Sequence, residues 1–189
     1  MKRTILFTAT AILTLSIVAP AFAGGEGFGK GRRGDGAGRE HWQQQREENQ
    51  AFRKTLKGME PAEAIAAIES HRETQHKRNL IFFAEQKDKR VERVNSREKL
   101  TDDQKAELVS FIEVMYAKKV AFATEMHEEF MDLLGELAED EDLTKEELHQ
   151  ALKGHHEQHK GEVKAFIKEQ VAAWKEKLTE VLGELPGKG

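Results

Sequence analysis

Three histidines fall within five residues in Leu152-Lys153-Gly154-His155-His156-Glu157-Gln158-His159-Lys160. His155 and His159 stand at i and i+4, a spacing that lets two imidazole nitrogens reach one divalent ion from a single helix face. Two Glu-x-x-His pairs could add ligands, Glu73 with His76 and Glu146 with His149. Such pairs serve in carboxylate-bridged metal bundles, but those need further inward glutamates at matched heights, and no full set can be picked out here. The chemistry on offer is therefore binding of zinc or copper by His155, His156, His159, His76, His149 and Glu73. The alternatives are a polar stretch that is simply part of a helix, or a proton sensor titrating in mild acid.

Helical periodicity decides where these rings point. With Leu148 as origin, His155 falls about 20° to one side and His159 about 20° to the other, and His156 lies about 80° away, near Trp174. All three lie on or beside the stripe formed by Leu148, Leu152, Val163, Phe166, Trp174, Leu178 and Val181. An echo occurs upstream, where residues 59–77 can be written above 143–160. Ile68 then meets Leu152, His71 meets His155 and, after a one-residue gap, His76 meets His159. This reads as an internal duplication flanking a central helix.

Other chemistries find no support. No Gly-x-Ser-x-Gly elbow or phosphate loop occurs, and the serines are scattered, so an enzyme is not expected. There is no cysteine, which leaves neither disulfides nor thiolate ligands. Lys2 and Arg3 precede an apolar run that ends in Pro20-Ala21-Phe22-Ala23, the pattern of an export signal cleaved after Ala23. Loss of Lys2 and Arg3 with it takes the formal charge from −4 to −6. That acidic balance argues against nucleic acid as a partner. A periplasmic protein without a stable membrane anchor is expected. Binding to lipid surfaces is a weaker alternative, since glutamate-rich faces suit anionic membranes poorly.

The composition is that of helices, rich in Glu, Lys, Gln, Ala and Leu. Residues 24–38 hold too much glycine to repay the entropy of ordering and read as a flexible segment. The helical domain is expected over 39–185. Its first helix ends near Gly58, and a second starts near Glu60 with Pro61 in the first turn. The second helix runs to about Arg93. Around Leu80, Ile81, Phe82 and Phe83 its apolar side chains point all round, with Ile81 and Phe82 off the main stripe and Phe83 closer to it. Such a patch is either buried among several neighbours or reserved for a partner.

Leu100-Thr101-Asp102-Asp103-Gln104 has the form of a capping box opening a third helix, with Thr101 and Gln104 reciprocally paired. A second box is expected at Thr144 and Glu147, after the acidic break at 138–142, opening a last helix that runs almost to Pro186. Helices of thirty-odd residues would each be about 50 Å long. The fold class is therefore all-α: an elongated bundle or curved helical hairpin, with a dimer covering apolar surface that one subunit cannot hide.

The exported, cysteine-free helical chain with Leu100, Thr101 and Gln104 in an LTxxQ motif resembles the Spy/CpxP family of periplasmic proteins. The resemblance covers about residues 40–137. At Leu143 and Thr144 a second motif begins, departing from the pattern by closing in Glu147. The resemblance implies an ATP-independent chaperone or envelope-stress protein. It would be an antiparallel cradle-shaped homodimer that holds unfolded or partly folded exported proteins against a mixed apolar and charged face. The acidic charge and the additional C-terminal helix set this chain apart from that pattern.

Overall fold

The structure is a computed structural model that describes residues 36–183. The export signal and residues 24–35 of the glycine-rich segment lie outside the described residues. Four α-helices follow one another: α1 (Gly36–Thr55), α2 (Pro61–Asn95), α3 (Asp102–Ala138) and α4 (Lys145–Leu182). No strand occurs among the described residues, so the fold is all-α. None of these helices is long and apolar enough to cross a membrane.

Each boundary has a local cause. α1 opens at Gly36, within the stretch read from sequence as flexible, and closes ahead of Gly58, which takes φ +93° where a side-chain-bearing residue would be strained. Pro61 is the first residue of α2, where the missing N–H loses nothing, and the Glu60 carbonyl accepts the first helical bond from Ala64 N–H at 2.9 Å. At α3 the Thr101 N–H donates to Gln104 Oε1 at 3.0 Å, and the Gln104 N–H donates to Thr101 Oγ1 at 3.2 Å. At α4 the Thr144 N–H and hydroxyl both donate to Glu147 Oε2, at 2.9 and 2.6 Å, and Glu147 N–H donates to Thr144 Oγ1 at 3.2 Å. Both expected capping boxes are thus formed. α4 stops at Leu182, short of Pro186, because Gly183 turns the chain with φ +76°.

The helices divide into two compact units. Unit 1 comprises 36–68 and 133–163: α1, the start of α2, the end of α3 and the first half of α4. Its core is Leu56, Ala64, Ile65, Ile68, Leu134, Leu148, Leu152 and Val163, with Ile68 and Leu134 almost inaccessible. α1 turns an unexpected face inward. Gln45 and Asn49, one turn apart, are buried, while Trp42 and Phe52 are half-buried. The polar N-terminal helix is therefore seated in part through amides. Lys145 Nζ reaches Glu60 Oε1 at 2.9 Å, tying the start of α4 to the start of α2.

Unit 2 comprises 69–132 and 164–183. Ascending positions on α2 meet descending ones on α3: Arg72 with Phe130, Glu73 with His127, Phe83 with Lys119, Lys87 with Tyr116. α3 and α4 are likewise antiparallel, through Gln104 with Val181, Phe111 with Trp174 and Phe122 with Phe166. The unit is an up-down-up bundle of three helix segments. Its core holds Phe82, Phe83, Leu108, Ile112, Met115, Met126 and Phe130. Each such fully buried side chain contributes roughly 1.5–3 kcal/mol through removal from water.

Candidate functional site

The local pattern of α4 in unit 1 carries the histidine cluster. Leu148, Leu152 and Val163 are buried, and His155, His156 and His159 are half-buried beside them, on the side that the periodicity predicts. The rings of His155 and His159 lie with centroids 4.1 Å apart and planes tilted by 43°. His159 Nδ1 is 2.7 Å from Glu162 Oε2. A carboxylate only accepts, so a proton sits on Nδ1, and in the neutral ring Nε2 is then the acceptor nitrogen. His156 departs from its neighbours, with Nε2 3.9 Å from the Glu157 carboxylate, and burial lowers its pKa. His149 is half-buried, and its neighbour Glu146 accepts a hydrogen bond from Gln150 at 2.9 Å.

The upstream pair Glu73 and His76 lies in unit 2, in a different setting. His76 stacks on His127, with centroids 4.2 Å apart and planes within 4°. His127 is buried, and its Nε2 lies 3.0 Å from Glu73 Oε2. Lys77, 2.9 Å away, and then His127 hold the Glu73 carboxyl below its usual pKa. The ionised carboxylate therefore accepts from His127 Nε2–H, and His127 Nδ1 is buried with no hydrogen-bond partner. Burial first, and His127 second, lower the pKa of His76. Glu73, His76 and His127 do not bring three ligand atoms within 4.8 Å of one another. The two copies of the sequence echo thus agree in their buried apolar positions, Ile68 and Leu152, and part at the histidines. His127 went unnoticed in sequence because its partner Glu73 lies 54 positions away; its only local sign is a place between Met126 and Phe130 on the α3 stripe.

The apolar patch on α2 needs correction. Phe82 is buried, as is Phe83, with 7% and 2% of their surface exposed. Leu80 is half-buried and only Ile81 points outward, 61% exposed. Phe82 was expected off the core stripe, but in unit 2 α2 has neighbours on α3 and α4, so its inward arc is wide enough to take both phenylalanines. Two further apolar side chains of the unit are exposed, Val114 on α3 and Val171 on α4.

Cations line the inner aromatic rings of unit 2. Lys119 Nζ lies 3.6 Å from the Phe83 ring centroid, Arg72 4.8 Å from that of Phe130 and Arg90 5.8 Å from that of Trp174. These contacts are favourable, by about 0.5–2 kcal/mol each. Desolvation nevertheless dominates at Lys119: burial, helped by repulsion from Arg90, pushes its ammonium down to about 7. Burial likewise pushes the Arg72 guanidinium down to about 10, where it stays charged at neutral pH.

Leu100, Thr101 and Gln104 are placed by the first capping box, and Leu143 and Thr144 by the second. Gln104 does more than cap: its Nε2 donates to the Val181 carbonyl at 2.8 Å, fastening the last turn of α4 to the first turn of α3. Compared with known proteins, the chain matches no family model, no curated protein and no solved structure.

Proposed function

We propose that the protein is exported to the periplasm and there holds unfolded or partly folded proteins, without ATP and without catalysis, as a homodimer. The observation that carries this reading is Ile81, a large apolar side chain 61% exposed on a helix whose neighbouring outward positions, Arg78 and Glu85, are charged. An isolated apolar residue among charges gives weak, reversible contact, which is what holding and release require. Val114 and Val171 repeat the arrangement on α3 and α4 of the same unit.

Within the same unit, His127 Nδ1, Gln86 Nε2 and Gln170 Nε2 are buried without hydrogen-bond partners, each lowering stability by about 1–3 kcal/mol. The first capping box, in the LTxxQ form at 100–104, adds the resemblance to LTxxQ-motif chaperones. Titrating the mature chain into a fluorescently labelled, permanently unfolded polypeptide and following anisotropy tests the reading. Saturable micromolar binding, weakened severalfold by Ile81→Asp with helicity unchanged, is expected. An anisotropy that stays flat up to a large excess of protein would contradict it.

A further inference from the structure

We propose that α4 carries a divalent transition-metal site whose ligands are the imidazoles of His155 and His159, with Glu162 fixing the orientation of His159. The inference is independent of the holding function. Three observations support it, all within unit 1. The i,i+4 spacing sets the rings side by side, with centroids 4.1 Å apart. Their planes are tilted by 43° rather than stacked flat, so modest rotation about the side-chain torsions turns one nitrogen of each toward a common point. A bound ion would hold each of these nitrogens at about 2.0–2.1 Å.

The second observation is the carboxylate. Glu162 Oε2 accepts the Nδ1 proton of His159 at 2.7 Å, which orients the ring and, in its neutral form, selects the tautomer that coordinates through Nε2. A histidine that binds a metal through one ring nitrogen characteristically donates the other to a carboxylate, and this raises its basicity as a ligand. The third is the surroundings. His155 and His159 are both half-buried rather than enclosed, so part of each ring stays within reach of the water ligands that a two-histidine site needs.

The donor set selects the ion. Two imidazoles without any thiolate suit zinc, copper or nickel, whereas calcium and magnesium require oxygen ligands throughout. His156, whose Nε2 faces Glu157 at 3.9 Å, and His149, more than a turn away, stay outside the site.

Isothermal titration of the mature chain with zinc chloride, and separately with copper(II) chloride, in a non-chelating buffer tests the proposal. One-to-one saturable binding in the micromolar range is expected, as is a loss of about tenfold or more on His155→Ala, on His159→Ala and on Glu162→Ala. His149→Ala, the control for adventitious histidine binding, should leave the affinity unchanged. A second readout needs no variant: substoichiometric copper(II) should broaden the imidazole NMR signals of His155 and His159 in the wild type before those of His149. No saturable binding of either ion, equal loss in the His149 control, or indiscriminate broadening would each overturn the site.

Discussion

Lys119 couples the stability of unit 2 to pH. Its ammonium is drawn over Phe83, yet burial outweighs that attraction and lowers its pKa from the ordinary 10.5 to about 7. The unfolded chain thus holds the Lys119 proton up to about pH 10.5, while the folded chain releases it near pH 7. Stability is fully present above the unfolded value and falls as pH drops from there to about 7, below which the loss is complete. His76 acts in the same sense at lower pH: burial, and then His127, lower its pKa, so stability declines further as pH falls below the usual imidazole range. Lys119→Met keeps the stem and removes the charge. It should stabilise the chain by about 1–2 kcal/mol below pH 7 and flatten the rise between pH 7 and 10, as read by urea unfolding at several pH values. Equal destabilisation at every pH would show that the contact with Phe83 outweighs desolvation.

Between elements, the two capping boxes differ by one atom type, and the structure gives a reason. Glu147 at α4 only has to accept, taking both the N–H and the hydroxyl of Thr144. Gln104 at α3 accepts from Thr101 and also donates to the carbonyl of Val181, which a carboxylate cannot do. Gln104→Glu should therefore cost about 1–2 kcal/mol, by facing a carboxylate to a part-buried carbonyl, whereas Glu147→Gln should cost only a few tenths. Thermal unfolding of the two variants side by side checks this, and equal losses would remove the special role of Gln104. Much at this scale was legible in the sequence, because caps and stops obey rules that span three or four residues: Thr101 with Gln104, Thr144 with Glu147, Pro61 and Gly58. α4 ends at Leu182, a few residues before Pro186, where Gly183 takes a left-handed turn. What reaches across the chain was not legible. The Gln104 bond to Val181 spans 77 positions, and the inward turn of Phe82 depends on neighbours that periodicity within α2 does not reveal. Gln45 and Asn49 escaped notice for a similar reason, because a polar stripe looks like a wet face until a partner helix covers it.

For the molecule as a whole, burial of Phe82 and Phe83 reduces the expected apolar patch to Ile81, with half-buried Leu80 beside it. Ile81, Val114 and Val171 are single apolar side chains on three helix segments of unit 2, and each alone contributes no more than about 1.5–3 kcal/mol when covered. Under the proposed function, holding through such points would be weak per contact and would depend on the client offering several apolar groups at once. On the proposed function, the chain's acidic balance, a formal charge of −4, would favour clients with basic segments, and affinity would fall as salt is raised. The most direct test is to dilute a chemically denatured client into buffer with and without the purified mature protein and to follow light scattering. Scattering should be suppressed in proportion to added protein, and less so by Ile81→Asp. Unchanged scattering at a several-fold molar excess of wild type would contradict the proposed holding function.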